Sequence, residues 1–444
     1  MPPASAPWSA PPETFRGETR RGAEGFFHVA QSHAGQWWLR NPEGRPEFLR
    51  AVHGVRAPAA TEEGEPPRDS AARLRAWGFD AVGVGGDGAG RDDGLAFLAT
   101  VDFCRAAPIL VGPGLRVPDV FDPRWPELAH RRAAEVCTAL AGEARLIGWV
   151  TDDTPGWAQP QPANHPTSAI TPAPTAAVAK ESADAAPRPT LLQLCLSLEP
   201  GFAAYHAAWE FALALYGGRI EALGRAWGVP LANKEMVRER TRAEKGFATR
   251  GYWRDEARWT RELARRYFTT TAAAIRAADP HHLVLGCRFG GLAGPHVLAE
   301  CVAPAVDVAM PDWREVPGFV TGNGLREGEP AQPLIAGDVC WTAPEFLRLP
   351  AAARVLRLTS VEWMLRRART ALERTARHPA AIGYAWRQWQ DEPGEQPPFA
   401  RGLVHANGAE AREHTELLAE FNARAALLRR TAAAKPFPAS ASSA

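Results

Sequence analysis

The chain has 444 residues, of which 45% are hydrophobic and 23% charged, so it can bury the core of one large domain or of two ordinary ones. Its formal net charge of +1 argues against a general electrostatic attraction to nucleic acid or to an anionic membrane. The sequence has no apolar run of about 18 residues, so we expect no transmembrane helix.

The two ends of the chain differ in composition from its middle. Residues 1–24 are rich in proline and lack the apolar segment of a signal peptide, which predicts a disordered tail and leaves the cytoplasm as the default expectation for location. Residues 431–444 predict a second disordered tail. We expect the residues between them, 25–430, to form a single domain.

The six cysteines are spread along the chain without a CxxC pair. This spacing predicts buried free thiols in a reducing compartment. No group of histidines and cysteines has the spacing of a zinc site, so we expect neither a metal nor another cofactor.

The predicted elements begin with a small β-hairpin and continue as alternating strands and helices. In residues 25–56, short β-type runs are interrupted by the turn signals HAG and NPEG, which predicts a hairpin leading into a longer strand. Eight apolar runs predict strands at 48–55, 78–86, 106–112, 145–150, 282–289, 306–313, 333–341 and 381–389. Helical stretches lie between them, at 67–77, 124–142, 200–226, 254–278, 294–302 and 344–376.

The pattern of the strands indicates the fold. Most of the eight runs are continuously apolar, which is typical of parallel strands that are covered on both faces. Eight strand–helix units in one chain predict a closed α/β fold, the (β/α)8 TIM barrel. A doubly wound sheet is the alternative, but no GxGxxG phosphate turn follows the first strand.

One segment interrupts the barrel pattern. Residues 157–189 are rich in proline, alanine, serine and threonine, so they predict a low-complexity insertion that cannot bury a core. The insertion follows the fourth predicted strand, and the carboxyl ends of barrel strands surround the functional face of such folds. It is therefore interpreted either as a neutral insertion or as a lid over the barrel mouth.

Seven segments match, in chain order, a series of family motifs. The first four are GQWWLRNPEGRPEFLRAVHGV, LRAWGFDAVGV, LIGWVTDD and LYGGRIEALGRAWGV. The last three are IRAADPHHLVLGCRF, QPLIAGDVCW and AIGYAWRQWQDEP. The series resembles the barrel glycoside hydrolases of clan A, above all the beta-agarase-like group and its beta-galactosidase relatives. The resemblance covers residues 26–430 apart from the insertion.

The resemblance implies a retaining mechanism with two glutamates, an acid/base at the end of the fourth strand and a nucleophile at the end of the seventh. Both catalytic positions are altered here, because Thr154 occupies the first and Asp338 the second. A threonine hydroxyl cannot give up a proton near neutral pH and recover it, as an acid/base must. Asp338 keeps a carboxylate but retracts it by roughly 1 Å, and small misplacements reduce reaction rates strongly.

Asp153 is the candidate replacement for the missing acid. It precedes Thr154, so on an extended strand its side chain would point to the opposite side unless the backbone turns at the strand end. A pair of Asp153 and Asp338 would be wider than a pair of glutamates and closer to the roughly 6.5–9.5 Å of inverting enzymes. The alternative is that Asp152 and Asp153 only make hydrogen bonds at the strand end.

Other residues near the predicted strand ends are candidates for binding the substrate. By resemblance, Arg288 would orient the nucleophile carboxylate and Trp386 would form the floor of the sugar site. The remaining substrate-binding candidates are His53, Asp152, Trp313, Gln388 and Asp391. Asp87 and Asp312 also stand near strand ends, and a nucleophilic role for Cys340 would require a basic partner. For all of these residues, packing at the rim is the alternative interpretation.

Three functions fit these observations. The leading hypothesis is a glycoside-hydrolase-like barrel that binds β-linked oligosaccharide or polysaccharide, galactan-like or agar-like by resemblance, with reduced or lost hydrolysis. The second is an active β-glycosidase that uses Asp338 and Asp153 as a shifted carboxylate pair. The third is a non-catalytic structural or interaction protein. No oligomeric state is favoured.

Overall fold

The computed structural model describes most of the chain. The described residues are 14–57, 70–112, 115–153, 189–289, 292–316, 332–342, 357–392 and 400–433. Thr154, nearly all of the insertion predicted at 157–189 and residues 434–444 lie outside them. Within these described ranges, no helix is long and apolar enough to cross a membrane.

The predicted N-terminal hairpin is present. Strand β1 (His28–Gln31) pairs antiparallel with β2 (Trp37–Arg40), and β2 pairs with β3 (Pro46–Glu47). Gly35 and Gly44 lie in the HAG and NPEG turns with φ angles of 85° and 76°. Glycine adopts this left-handed conformation without steric cost, which explains why these two signals mark the turns.

The residues before the hairpin also belong to its sheet. The backbone N–H of Arg16 donates to the carbonyl of Gln31 at 2.9 Å, and Arg21 and Val29 exchange two backbone hydrogen bonds. The paired chain therefore begins before the predicted boundary at residue 25. Composition did not reveal this, because backbone pairing depends on the partner strand and not on side-chain polarity.

A parallel sheet of seven strands forms most of the barrel wall. The next strands in the chain are β4 (Leu49–Val52), β5 (Ala81–Val82), β6 (Ala96–Val101), β7 (Ile109–Gly112), β8 (Leu115–Pro118), β9 (Leu146–Asp153), β10 (Leu283–Arg288), β11 (Leu334–Val339) and β12 (Ala381–Trp386). All of them except β7 and β8 belong to this sheet, in the spatial order β10, β9, β6, β5, β4, β12 and β11. The inner and outer faces of these strands are mostly buried, which accounts for their continuous apolar runs.

Residues 307–312 complete the barrel between β10 and β11. Ala309 and Asp312 form isolated parallel bridges with β11, and the N–H of Asp307 donates to the carbonyl of Val284 in β10 at 2.9 Å. This segment corresponds to the sixth predicted strand. The predicted (β/α)8 barrel with its hairpin lead-in is therefore confirmed.

The third barrel strand lies earlier in the chain than predicted. The predicted strand at 106–112 is instead part of a two-stranded antiparallel ribbon of β7 and β8. The barrel position belongs to β6, which pairs in parallel with β5 and β9. Both segments are apolar and of strand length, so local composition could not decide which one enters the barrel; the parallel partners decide it.

Helices surround the barrel, as predicted. They are α1 (Ser70–Ala76), α2 (Trp125–Cys137), α3 (Leu191–Leu196), α4 (Ala203–Ala214), α5 (Ile220–Trp227), α6 (Glu235–Arg242), α7 (Arg250–Ala278), α8 (Pro295–Val297), α9 (Arg357–Arg377) and α10 (Arg412–Ala433). The helix predicted at 200–226 is two helices, because Gly217 and Gly218 lie between them with φ angles of 63° and 76°. After β12, the short strands β13 (Gln388–Gln390) and β14 (Gly402–Val404) pair with each other.

Candidate active site

The end of strand β9 directs two consecutive carboxylates to different partners. Asp152 is buried, and its carboxylate accepts hydrogen bonds from the Cys104 backbone N–H at 3.0 Å and from the Tyr267 hydroxyl at 2.5 Å. Its φ of 58° is unusual for a residue other than glycine and turns the backbone at the strand end. Asp153 is exposed and accepts a hydrogen bond from Arg288 Nη1 at 3.1 Å. The strand end therefore brings Asp153, and not Asp152, to Arg288.

Asp338, at the predicted nucleophile position, lies on β11 and is only 5% exposed. Its Oδ1 accepts a hydrogen bond of 2.7 Å from Nε of Arg288, and its own φ is 51°. Burial acts to raise the pKa of the Asp338 carboxyl, but the positive charge of Arg288 opposes it, and the pKa lies below its usual value. Asp338 is therefore an anion at neutral pH, as a carboxylate nucleophile must be.

Arg288 holds both carboxylates. Its guanidinium forms ion pairs with Asp338 at 2.7 Å and with Asp153 at 3.1 Å, and Nη2 donates to the carbonyl of Arg387 at 3.0 Å. Burial acts to lower the pKa of Arg288, whereas the two carboxylates raise it, and the result lies above its usual value. The three side chains form a continuous bridge over strands β9, β10 and β11. If Arg288 orients the carboxylate of Asp338, the two side chains must be in contact, and they are.

His53 follows the end of β4 and is buried. Its Nδ1 accepts a hydrogen bond from the Val84 N–H at 3.0 Å, so the proton of the neutral ring is on Nε2. Burial is the main reason that the pKa of His53 is lowered to about 3, and the charge of Arg288 adds to this effect. Among the described residues, buried Nε2 has no hydrogen-bond partner. His53 is thus an uncharged donor at this end of the barrel.

Two glycines keep the neighbouring strand end free of side chains. A Cβ atom on Gly83 would lie 2.4 Å from Nδ1 of His53, and one on Gly85 would lie 3.3 Å from Oδ2 of Asp153. Gly85 also has a φ of 84°, which side chains disfavour. The glycine-rich run after β5 therefore makes room for two of the candidate residues.

Trp386 lies inside the barrel wall. Its side chain is fully buried, its ring packs edge-to-face on Trp341 with centroids 4.5 Å apart, and Nε1 donates to the carbonyl of Arg401 at 3.0 Å. Stacking on a sugar requires an accessible ring face. The proposed role of Trp386 as the floor of the sugar site stays a prediction, and its burial gives that role no support.

Asp391 connects the two short strands that follow β12. Its carboxylate accepts a hydrogen bond from the Gly402 N–H at 2.8 Å and pairs with Nδ1 of His405 at 2.8 Å. These contacts fasten β13 to β14, so the carboxylate already has partners within the chain. A role in substrate binding stays a prediction.

The other predicted residues lie around the same end of the barrel. The backbone N–H of Trp313 donates to the carbonyl of Gly337 at 2.8 Å, and the Trp313 ring is buried. Gln388 is half-buried, and the carboxylate of Asp312 is paired with Arg314 at 2.7 Å. Their roles stay predictions, as does that of Thr154 at the acid/base position, which lies outside the described residues.

A second acidic cluster lies behind the end of β9. Ligand atoms of Asp102, Cys104 and Asp152 lie within 4.8 Å of one another. Burial is the main reason that the pKa of Asp152 is raised to about 7, although its hydrogen-bond donors oppose this shift. Asp102 is paired with Arg105 at 3.0 Å. This geometry describes an acidic pair with partners in the chain and does not by itself define a metal site.

All six cysteines are buried and free, as predicted from their spacing. Cys340 lies near the end of β11, with Sγ 3.1 Å from the hydroxyl of Thr342. Burial raises the pKa of the Cys340 thiol, which lowers its thiolate fraction at neutral pH. A nucleophilic role for Cys340 therefore has no support.

Sequence reasoning overlooked Arg387 and Tyr267. Arg387 directly follows β12, and its signal was a charged residue at the carboxyl end of a barrel strand. Tyr267 lies in helix α7, 115 residues from Asp152, and no local pattern connects these two residues. The first could have been found from the sequence, whereas the second depends on how the helix packs.

No protein-family model matches the sequence, and no curated protein matches it. Among solved structures, the chain is similar to an exo-beta-agarase, with 17% identity, a TM-score of 0.57 and coverage of 92% of this chain and 66% of that one. It is similar to the agarase AgWH50C, with 16% identity, a TM-score of 0.59 and coverage of 94% and 68%. It is also similar to BpGH50, with 15% identity, a TM-score of 0.61 and coverage of 94% and 86%.

These similarities concern the fold, because identities of 15–17% leave the chemistry of the site open. The chain spans about two thirds of the length of the two agarases. The barrel fold is what these structures share with this protein, and in this protein it carries the bridge of Asp153, Arg288 and Asp338. The protein thus has a (β/α)8 barrel that is similar in fold to those of an exo-beta-agarase, the agarase AgWH50C and BpGH50.

Proposed function

We propose that the protein binds a β-linked carbohydrate at the carboxyl-terminal mouth of the barrel and hydrolyses it slowly or not at all. The agarase-like fold supports a galactan-like or agar-like ligand, and the mouth of such barrels is where ligands bind. The observation that carries the proposal is the bridge in which Arg288 pairs with both Asp338 and Asp153.

The bridge argues against efficient hydrolysis. Retaining and inverting mechanisms both require one carboxylic acid that donates a proton to the leaving group. Asp338 and Asp153 both accept hydrogen bonds from the cationic Arg288, and the pKa of Asp338 is lowered by that charge, so Asp338 cannot supply this proton. The guanidinium also contacts both carboxylates, so a glycosidic bond placed between them would have to displace it.

An active β-glycosidase with a shifted carboxylate pair is the second candidate. One observation favours it: Asp153 and Asp338 contact the same guanidinium, so the strand end does not separate them. Hydrolysis by this pair would require the substrate to displace Arg288 from Asp153. A non-catalytic interaction protein is the third candidate, and the burial of Trp386 favours it over a sugar site built on that ring.

The experiment combines binding and turnover. Agar-derived and galactan-derived oligosaccharides are titrated calorimetrically into the protein, and aryl β-galactosides are assayed for turnover. We expect saturable binding of at least one oligosaccharide and no turnover above the uncatalysed rate. Turnover that disappears in Asp338→Asn would contradict the proposal, and its loss in Asp153→Asn as well would establish the second candidate. Absence of both binding and turnover would favour the third.

An exposed aspartate provides a control for the loss of one negative charge. Asp92→Asn removes the carboxylate of an aspartate whose side chain is 70% exposed and which pairs with Arg91 on the surface. We expect this variant to bind oligosaccharide as the wild type does. If Asp92→Asn and Asp338→Asn reduced binding equally, the effect would come from the general loss of a negative charge and not from the mouth of the barrel.

A further inference from the structure

We propose that Arg387 forms a subsite for an anionic substituent of the carbohydrate, either a sulfate ester or a uronate carboxylate. This inference rests on the proposed function, because it names the class of glycan that the same mouth binds. Three observations support it. Arg387 lies beside the candidate site, its Nε has no hydrogen-bond acceptor among the described residues, and the neighbouring Arg288 is already paired with two carboxylates.

Two hydrogen bonds fix the backbone of Arg387 beside Asp338 and Arg288. Its N–H donates to the carbonyl of Val339 at 3.0 Å, one residue after Asp338 on β11. Its carbonyl accepts a hydrogen bond from Arg288 Nη2 at 3.0 Å. Arg387 thus directly follows the eighth barrel strand, β12, at the edge of the candidate site, where substrate-binding side chains of such barrels lie.

The guanidinium of Arg387 makes no hydrogen bond and no ion pair with the described residues, although its charge helps to lower the pKa of Asp338. Its Nε is buried without a hydrogen-bond acceptor, and its side chain takes part in no ion pair within those residues. Two nearby arginines are occupied: Arg288 holds two carboxylates, and Arg401 pairs with Glu392 at 3.2 Å. A charged group that is partly buried without a counterion costs stability, and Arg387 is half-buried, so an anionic ligand that pairs with its guanidinium gains affinity at this position.

The chemistry of the ligand follows from the shape of the guanidinium. Its planar fork of N–H groups matches two oxygens of a carboxylate or sulfate group, which it can bind in a bidentate manner. A neutral sugar offers hydroxyl groups but no charge, so it would leave the ion pair unformed. His53, whose ring is neutral, and Arg288, which is already paired, offer this anion no unpaired positive charge.

The experiment compares oligosaccharides of equal length that differ in charge. Neutral agar-derived, sulfated galactan-derived and uronate-containing galactan oligosaccharides are titrated into the full-length protein at low and physiological salt. We expect at least one anionic oligosaccharide to bind about tenfold more tightly than the neutral one, because hydrogen bonds to charged groups contribute at least this much. Added salt should reduce this preference.

Two variants and a control assign the preference to Arg387. Arg387→Gln should remove the preference for the anionic oligosaccharide, and Arg387→Lys, which keeps the charge without the fork, should retain part of it. Arg366→Gln removes an arginine that is 74% exposed on helix α9 and should leave the preference intact. Circular dichroism verifies that each variant is folded, and if Arg387→Gln is not, the lysine variant provides the comparison.

The outcomes distinguish this inference from the proposed function. Tighter binding of the sulfated or of the uronate oligosaccharide identifies which anion the subsite takes. Equal affinity for neutral and anionic oligosaccharides, or a preference that Arg387→Gln leaves unchanged, would overturn the anionic subsite while leaving carbohydrate binding intact. Failure of every oligosaccharide to bind would overturn the proposed function and, with it, the subsite.

Discussion

Nε of Arg288 lies 2.7 Å from Oδ1 of Asp338, so a buried ion pair joins the ends of strands β10 and β11. The two side chains are only 13% and 4% exposed, and solvent therefore screens their attraction weakly. Removal of one partner from such a pair leaves an uncompensated charge in the interior. The pair is therefore important for both the stability and the charge of the barrel mouth.

The first prediction concerns this ion pair. Arg288→Met should lower the free energy of unfolding by about 3–5 kcal/mol, because Asp338 then remains buried without its cation. Urea denaturation at pH 7 measures the change. The double variant Arg288→Met/Asp338→Asn should be more stable than Arg288→Met alone, since the unpaired charge is gone.

An exposed arginine provides the control for this prediction. Arg366 pairs with Glu362 on the surface of α9, and both side chains are more than 70% exposed. Arg366→Met should change the free energy of unfolding by no more than about 1 kcal/mol. If Arg288→Met cost as little as this control, the pair would not have the energetics of a buried ion pair.

The second prediction concerns the pH dependence that Asp152 introduces. Burial raises its folded-state pKa to about 7, whereas an unfolded aspartate has a pKa of about 3.9. Between these values the folded state retains a proton that the unfolded state has lost. The stabilising contribution of Asp152 is therefore complete below about pH 4 and disappears as the pH rises through about 7.

Asp152→Asn isolates this contribution, because asparagine does not titrate. Urea denaturation of both proteins at pH 4.5 and pH 7.5 should show that the wild type loses up to about 3 kcal/mol relative to the variant as the pH rises. Glu315, whose pKa burial also raises to about 7, contributes equally to both proteins and cancels. If the free energy of unfolding of the wild type, relative to that of the variant, stayed constant or increased with pH, the pKa of the Asp152 carboxyl would not be raised in the folded state.

The third prediction concerns the packing of His53 against the second barrel strand. Gly83→Ala would place Cβ only 2.4 Å from Nδ1 of His53, so the imidazole or the backbone must shift. We expect a loss of about 1–3 kcal/mol in the free energy of unfolding, as for other overpacked sites. Gly142→Ala is the matched control, since a Cβ there meets no atom within 4 Å. Similar effects of the two substitutions would show that His53 does not restrict this position.

The fourth prediction decides between two roles for Trp386. Its complete burial and its contact with Trp341 predict that Trp386→Ala lowers the free energy of unfolding by about 3–5 kcal/mol, as for a core residue. Denaturation and oligosaccharide titration are measured on the same protein. A variant that keeps its stability and loses binding would instead support the sugar-platform role derived from the resemblance.

The barrel could be predicted because its signals are local. Continuous apolar runs and the glycine turns of the hairpin each act within a few residues. The wrong prediction of the third barrel strand also comes from reliance on local signals. The segments at 96–101 and 106–112 both resemble strands, and only the parallel pairing of β6 with β5 and β9 selects the first.

The sequence by itself determined the barrel, the hairpin and the position of Asp338 and Asp153 at strand ends, since these features depend on residues that are close in the chain. Only the tertiary structure decided that both carboxylates meet Arg288, which lies 50 and 135 residues away from them. It also decided that Trp386 is buried and that Nε of Arg387 has no hydrogen-bond acceptor within the described ranges. The physical reason is that closure of the barrel brings the ends of distant strands together, and side-chain contacts there depend on backbone angles, such as the left-handed φ of Asp338, that no local pattern encodes.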